Sequence, residues 1–125
     1  MFPTRTLESS NMLAVIFELE PIAESKQQYL EIAAALGPEL SKIDGFISIE
    51  RFESLSQPGK LLSLSFWRDE AAISAWRNLE QHRGAQQAGR DHLFHDYRLR
   101  VASVVRDYSL QQRETAPVDS QDFHR

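Results

Sequence analysis

The hydrophobic residues of this chain recur with a period of two in some segments and with a period of three to four in others. Residues 11–19 carry apolar side chains on both parities, as expected for a strand with both faces covered. Residues 46–54 and 61–67 also have the pattern of strands, and the Pro-Gly turn at 56–60 lies between them. These two strands are therefore predicted to form an antiparallel hairpin.

A last strand is predicted over residues 94–108. Its apolar side chains keep one parity as far as Val101 and take the other parity at Val104. Such a change of phase indicates an extra residue in the strand. The sequence therefore predicts a β-bulge near Ala102 and Ser103.

The longest segment with helical spacing is residues 21–43, where apolar side chains recur at steps of three, four and seven. The Gly37-Pro38 pair interrupts this segment, because proline lacks a backbone N–H and disfavours helix in the preceding residue. We expect one helix to about Leu36 and a short second piece that begins at Pro38.

A second helix is predicted directly after the third strand. Asp69 and Glu70 suit a helix start, because carboxylates there meet unpaired backbone N–H groups and the positive end of the helix dipole. Ile73, Trp76 and Leu79 then fall on one apolar stripe. This spacing aims the Trp76 indole from the helix back onto the sheet.

The predicted order is β-α-β-β-α-β, an α+β fold of the ferredoxin-like type with a four-stranded antiparallel sheet and both helices on one face. The opposite face is then uncovered. We assign to it Met12, Ala14 and Ile16 of the first strand and Leu61 and Trp67 of the third. Lone subunits rarely expose such an apolar area, so the pattern predicts a two-fold symmetric homodimer.

The length of 125 residues corresponds to one domain. Residues 1–10 lack periodicity and are expected to be a flexible tail. Residues 11–108 form the predicted domain. Residues 109–125 are polar and are expected to be either a disordered tail or an arm that lies on a partner subunit.

The charge balance argues against a nucleic-acid surface. The chain has a net charge of -4 and its basic residues are scattered singly, whereas phosphate binding requires a concentrated positive field. No apolar run approaches the roughly 20 residues that cross a bilayer, and the first residues do not have the pattern of a signal peptide. The chain contains no cysteine, which excludes disulfides and thiolate metal sites. We expect a cytoplasmic protein with no membrane partner.

The motifs of common cofactor and hydrolase sites are missing from the sequence. It contains no Gly-rich phosphate loop and no G-x-S-x-G. His92 and His95 form an H-x-x-H, but a third ligand would have to come from Asp91, Asp96 or His82. We therefore predict no metal site.

Three stretches resemble the antibiotic biosynthesis monooxygenase family: SFWRDEAAISAW, HRGAQQAGR and the closing strand YRLRVASVVRDY. The resemblance extends from Met12 to Tyr108. It implies a ferredoxin-like chain that pairs into a dimeric α+β barrel. Because this fold supports several reactions, the resemblance identifies the superfamily better than it identifies the reaction.

The resemblance also implies a ligand pocket between the sheet and the helices of each subunit. His82 is the candidate catalytic base, because its imidazole titrates near neutrality and could deprotonate a phenol. Its alternative role is a hydrogen bond to the backbone near a helix end. Trp76 could stack on a planar substrate, or it could simply pack in the core. The candidate substrate-binding residues implied by the resemblance are Phe17, Phe66, Trp76, Tyr97 and Gln86.

The heme-degrading branch of this fold uses an Asn on the first strand, a Trp on the second helix and a His ten residues beyond it. Trp76 matches the Trp, but Gln86 stands at the His position and Ile16 or Phe17 at the Asn position. The first hypothesis is therefore a monooxygenase that acts on a small planar aromatic or quinol-like compound without a cofactor. The alternatives are a heme-binding or heme-degrading protein and a non-catalytic dimeric module that binds a small ligand.

Overall fold

A four-stranded antiparallel sheet with strand order β2-β3-β1-β4 forms the centre of the protein. The computed structural model describes residues 12–82 and 93–123. The elements are β1 (Leu13–Pro21), α1 (Lys26–Leu40), β2 (Phe46–Glu53), β3 (Leu61–Trp67), α2 (Glu70–His82), β4 (Phe94–Ser103) and α3 (Val118–Phe123). This topology confirms the predicted ferredoxin-like α+β fold. Among the described residues, no helix combines the length and the apolar character that crossing a membrane requires.

The hairpin between β2 and β3 is confirmed. The Ser54 amide donates to the Lys60 carbonyl at 2.9 Å, which closes the turn. Gly59 has a φ of +90°, a left-handed conformation that disfavours any side chain. Its amide donates to a Glu53 carboxylate oxygen at 3.1 Å, so the turn is held by both backbone and side-chain bonds.

Helix α1 is continuous, and the predicted break before Pro38 is wrong. Pro38 lies inside the helix, one turn after Ala34, whose carbonyl loses a backbone donor. Both residues are exposed, so water can replace the missing bond. The Ser41 amide and hydroxyl both donate to the Gly37 carbonyl, each at 3.2 Å, which completes the helix end beyond the proline.

Strand β4 is shorter than predicted, because it ends at Ser103 and does not reach Tyr108. Ser103 pairs with Leu13, the first residue of β1. Beyond it, one backbone hydrogen bond remains, from the Val104 amide to the Met12 carbonyl at 2.9 Å. The pairing is regular through Ala102, and the predicted bulge there is wrong. The register shifts instead directly after Glu20, near the start of β4.

The two faces of the sheet are assigned by β3, whose residues alternate strictly between buried and partly exposed. Leu61, Ser63, Ser65 and Trp67 are buried, and Trp67 keeps only 2% of its surface exposed. Leu61 and Trp67 also belong to the buried clusters that contain α1 or α2 residues, so they face the helices. Their prediction on the uncovered face is therefore wrong.

The face opposite the helices, here called the open face, carries the other parity. Ala14 pairs with Phe66 and Ile16 pairs with Leu64, and directly paired residues of an antiparallel sheet point to the same side. Leu62 shares their parity on β3. The prediction that Ala14 and Ile16 lie on this face agrees with the register. From β3, however, the open face carries Leu62, Leu64 and Phe66 in place of the predicted Leu61 and Trp67.

The core between the sheet and the helices consists of two clusters. One contains Leu19, Leu61 and Leu93 of the sheet side with Tyr29 and Ala33 of α1. The other contains Leu40, Trp67, Ala72 and Ile73, so it joins the ends of α1 and β3 to α2.

Ionic contacts hold the connection between β3 and α2. The Ala72 amide donates to Asp69 at 3.0 Å, which confirms Asp69 as the cap of α2. Arg68 donates to Asp69 at 2.9 Å and to both oxygens of Asp44 at 3.1 and 3.2 Å. These carboxylates raise the pKa of Arg68, and the bond from Arg68 is the main cause that lowers the pKa of Asp69. Gly45 has a φ of +95°, and an added Cβ would lie only 2.8 Å from the Ala72 side chain.

The six-residue helix α3 near the end of the chain was not predicted from the sequence. Arg113 links it to the preceding segment, because its guanidinium donates to the Ser120 carbonyl at 3.0 Å and lies 5.2 Å from the Tyr108 ring centre. The prediction that residues 109–125 form a tail or a dimer arm stays a prediction.

Candidate functional site

A cavity of about 320 Å³ lies between the helix-bearing face of the sheet and the two long helices. This volume is at the lower end of the roughly 300–1,000 Å³ that is usual for small-molecule sites. Its apolar and aromatic lining residues are Val15, Phe17, Tyr29, Ile32, Ala33, Leu36, Leu40, Ile49, Trp67, Ile73, Trp76, Phe94, Tyr97, Leu99 and Val101. Its polar lining residues are Arg51, Ser63, Ser65 and Arg77.

The floor of the cavity is built from rows of residues that face each other across neighbouring strands. In one row Arg51 pairs with Ser63, Ser63 with Phe17, and Phe17 with Leu99. Neighbouring strands lie about 4.8 Å apart, so this row changes from cationic to apolar within about 10 Å. The small serine leaves space above the sheet between a charged residue and a ring.

An aromatic group closes the β4 end of the cavity. The Phe17 and Tyr97 ring centres are 5.6 Å apart, and both lie 6.1 Å from the Phe94 ring centre. The Tyr29 ring of α1 is 5.5 Å from Phe94. All four contacts are edge-to-face, a geometry that stabilises ring pairs. Tyr97 is 58% exposed, so its ring forms an open edge of the site.

Trp76 lines the cavity from α2, and it is also packed against the buried cluster around Leu40 and Ile73. The packing interpretation of Trp76 is therefore confirmed, and its role in binding a substrate stays a prediction. The Trp67 indole lies on the sheet side and donates to the Ser65 hydroxyl at 2.9 Å. The Ser65 hydroxyl is thereby oriented within the cavity wall.

The structure brings Phe17, Trp76 and Tyr97 to one cavity, but it does not bring Phe66 there. Phe66 pairs with Ala14 on the open face, so its predicted place in the ligand pocket is corrected. The physical reason is the parity of β3, which turns Phe66 away whenever Trp67 faces the helices.

The other two predicted site residues are not placed by the structure. His82 is the last residue of α2, and its side chain lies outside the described part of the chain. Gln86 lies outside the described residues altogether. The predicted roles of both side chains stay predictions.

The sequence analysis did not identify Arg51 and Arg77 as site residues. Arg51 follows Ile49 at the same parity of β2, and Ile49 also lines the cavity. A charged residue at an apolar parity is a signal that could have identified it. Arg77 directly follows Trp76 on α2, and its position next to a candidate site residue is the corresponding signal.

The described residues show no arrangement for a metal ion. Within 12–82 and 93–123, no group of three or more His, Asp or Glu side chains could hold one. At the two positions considered for the first-strand Asn of heme-degrading relatives, Phe17 lines the cavity and Ile16 lies on the open face. Neither side chain can hydrogen-bond to a ligand.

The sheet order and the position of the helices define a ferredoxin-like α+β protein with a cavity between its sheet and its helices. The model of the antibiotic biosynthesis monooxygenase family matches residues 12–88, and the chain belongs to this family. Solved structures from Deinococcus radiodurans and Mycobacterium tuberculosis share the fold. The first has a TM-score of 0.67 at 18% identity and covers 78% of this chain and 96% of its own. The second, Rv0793, has a TM-score of 0.62 at 21% identity, with 78% and 99% covered.

Two curated proteins are similar in sequence. The chain is 48% identical over 114 residues to "Jasmonate monooxygenase ABM" of Pyricularia oryzae, which covers 89% of this chain and 53% of that relative. This chain therefore spans about half the length of that protein. It is also 29% identical over 99 residues to the uncharacterized protein YqjZ of Bacillus subtilis, with 79% of this chain and 84% of the relative covered.

Proposed function

We propose that this protein is a monooxygenase that transfers one atom of dioxygen to a small planar aromatic or quinol-like compound, without a metal or flavin. The observation that carries the proposal is the predominantly apolar cavity between sheet and helices, which Phe17 and Tyr97 line from the sheet and Trp76 lines from α2. A flat ring fits such a wall because aromatic side chains bind ring faces and edges favourably.

The proposed reaction needs no external reductant. A base removes the phenolic proton, and the electron-rich phenolate passes one electron to dioxygen. The resulting radical pair forms a carbon–oxygen bond, and loss of water from the peroxide leaves a quinone. The sum is phenol plus dioxygen to quinone plus water, and the substrate supplies all four electrons. An apolar, water-poor cavity favours this sequence because it protects the peroxide from competing proton transfers.

His82 is the proposed base. It ends the same helix that carries Trp76 into the cavity wall, so one rigid element connects the base with the substrate-binding indole. Gln86 is proposed as a further substrate contact four residues beyond it. Both assignments follow from the family resemblance and are open to direct test.

Oxygen consumption by metal-free protein with a panel of phenols and quinols tests the proposal. We expect uptake with the wild-type chain and a decrease in kcat of about 10²–10⁴-fold in His82→Ala. His95→Ala is the matched control, because His95 is an exposed histidine of β4 that does not line the cavity. Equal uptake by the wild type and His82→Ala would remove His82 from the mechanism, and no uptake with any phenol would contradict the proposed substrate class.

A second candidate function is oxidation of a jasmonate-like compound, which the similarity to the Pyricularia oryzae protein favours. Insertion of oxygen into a saturated C–H bond consumes two electrons that the substrate does not supply. This reaction would therefore require an external two-electron donor such as a reduced nicotinamide. Oxygen uptake with jasmonate that depends on added NADPH would support this candidate, whereas uptake with phenols alone would support the first.

Hemin titration tests the heme alternative separately. If the wild type shifts the Soret band of hemin and Trp76→Ala does not, a heme site in this cavity is favoured. We expect no such shift, because Phe17 and Gln86 occupy the positions where the heme branch has its polar residues.

We further propose that the protein pairs with a second copy through its open face. Ile16, Leu62, Leu64 and Phe66 lie there on neighbouring strands and are only partly buried by their own chain. Such an apolar area is typical of two-fold interfaces. Sedimentation at micromolar concentration should give twice the chain mass, and a single-subunit mass would contradict the proposal.

A further inference from the structure

Two arginines, Arg51 and Arg77, line a predominantly apolar cavity and have no carboxylate partner in the described part of the chain. The arginines that form ion pairs there are Arg68 and Arg100, with partners Asp44, Asp69 and Glu18. Arg51 and Arg77 belong to none of these pairs. The cavity therefore holds positive charge that the described protein residues do not neutralise.

Arg51 is the more telling of the two residues, because it lies on the cavity floor. It is partly buried, and its Nε is removed from solvent without any hydrogen-bond partner. The residue across from it on β3 is Ser63, and on the same face of β2 Ile49 precedes it. A buried donor on a charged group without a partner is costly, so the described protein residues leave part of the hydrogen-bonding capacity of this guanidinium unused.

Arg77 lies at the exposed side of the cavity, one residue after Trp76. It donates from one Nη to the neutral Ser74 hydroxyl at 3.1 Å, and it forms no ion pair with a described carboxylate. An exposed cation at the entrance of an apolar site attracts anions and raises their association rate. The two arginines thus occupy different depths of one cavity.

The chemical group that matches this arrangement is a carboxylate. Guanidinium groups bind carboxylates through two parallel N–H···O bonds, and these charge-assisted bonds are stronger than neutral ones. The apolar remainder of the ligand would extend along the row from Arg51 over Ser63 toward Phe17, across about 10 Å. The Phe17 and Tyr97 rings then receive the end of the molecule that is distant from the charge.

We infer that the substrate is a small monocarboxylate with a ring at its far end, and that Arg51 and Arg77 bind the carboxylate. This inference rests on the proposed monooxygenase function in one respect: the bound carboxylate is a substrate only if the protein oxidises it. The binding site itself follows from the arginines and the cavity. Carboxylate recognition orients the molecule in one direction, so that the same ring edge always meets the base and dioxygen.

Matched acids and esters test the inference by calorimetric titration. The probes are 4-hydroxycinnamate, 3-phenylpropanoate and cyclopentylacetate, each compared with its own methyl ester. We expect at least one acid to bind the wild type roughly 10-fold to 100-fold more tightly than its ester, since charge-assisted bonds have about this effect. If no acid in the panel binds more tightly than its ester, the inference is wrong.

Variants assign the preference to the two arginines. Arg51→Gln should remove most of the preference for the acid over its ester. Arg51→Lys should remove less of it, because lysine keeps the charge but not the planar pair of donors. Arg77→Gln should weaken acid binding less and slow its association. Arg106→Gln is the control, an exposed arginine that does not line the cavity. Circular dichroism of each variant verifies folding, and an unchanged ratio in both glutamine variants would overturn the assignment.

The same probes separate this inference from the proposed function. Among the three acids, only 4-hydroxycinnamate carries the phenol that the proposed reaction oxidises. Tight, arginine-dependent binding of 4-hydroxycinnamate without oxygen uptake would leave the carboxylate site in place and contradict the monooxygenase proposal. Oxygen uptake that is equally fast with the acid and with its ester would support the monooxygenase proposal and contradict carboxylate recognition.

Discussion

The two faces of the sheet differ in how Glu18 on one face and Arg51 on the other are paired. On the open face Glu18 meets Lys60 at 3.2 Å and Arg100 at 3.0 Å, so opposite charges compensate each other. On the helix-bearing face Arg51 has no carboxylate partner among the described residues, and one of its donor atoms is buried. The comparison indicates that the charge of Glu18 on the open face is compensated within the chain, whereas Arg51 on the helix-bearing face lacks an anionic partner among the described residues. A charge that a protein leaves unpaired in a cavity is informative about its ligand.

The largest difference between the faces should appear in stability. Trp67→Ala removes a fully buried indole from the helix-bearing face, and we expect the free energy of unfolding to fall by about 3–5 kcal/mol. Phe66→Ala, the neighbouring aromatic on the open face, should cost less than half as much in the isolated subunit. Urea denaturation at low protein concentration measures both. Equal losses would contradict the face assignment of β3.

The association of two subunits should depend on the open face and not on the helix-bearing face. Leu64→Asp places a charge in the proposed interface, and we expect it to give a folded single subunit, because a buried unpaired carboxylate opposes pairing. Leu55→Asp is the control, since Leu55 is 100% exposed in the hairpin turn. Sedimentation velocity distinguishes one chain from two. A Leu64→Asp variant that still pairs would mean that the interface lies elsewhere.

Changes at Asp69, the cap of α2, should have a smaller effect on stability. Two variants of this residue separate the contribution of the hydrogen bond from that of the charge. Asp69→Ala removes both the bond to the Ala72 amide and the contact with Arg68, so it should lower the thermal midpoint measurably. Asp69→Asn keeps an acceptor at the cap and should lower the midpoint less. Thermal unfolding of the two variants side by side gives the comparison, and equal midpoints would assign the whole effect to the ion pair with Arg68.

The smallest expected effect concerns the charges of the open face. Lys60 first and Arg100 second lower the pKa of Glu18, so this carboxylate stabilises the folded chain above its ordinary pKa. The contribution is lost as the pH falls through the lowered folded pKa. We expect Glu18→Gln to be slightly less stable than the wild type at pH 7 and equally stable at pH 3 in urea titrations.

Glu24→Gln, an exposed glutamate outside these ion pairs, serves as the control for the Glu18 variant. Added salt should reduce the difference at pH 7, because exposed ion pairs are screened. A difference that grows at pH 3 would contradict the sign of the lowered pKa.

Local signals in the sequence were sufficient for much of the fold. The Pro-Gly turn predicted the hairpin, and Asp69 predicted the start of α2, because both depend on bonds between residues that are close in the chain. The aromatic residues Phe17, Trp76 and Tyr97 were also identified in advance, although their common cavity followed from a family resemblance. The break at Pro38 was wrong because an exposed helix end tolerates a missing backbone bond.

The sequence by itself determined the four strands, the two long helices and their order along the chain. Only the tertiary structure decided which parity of β3 meets the helices, and with it the position of Phe66 and the charged floor at Arg51. The physical reason is that a period of two divides the residues of a strand between two faces but does not show which face packs against the helices. Which face is buried is decided by packing between the sheet and helices that are distant in the chain. Ser63 and Ser65, polar yet buried, show how the composition of one strand can indicate the wrong face.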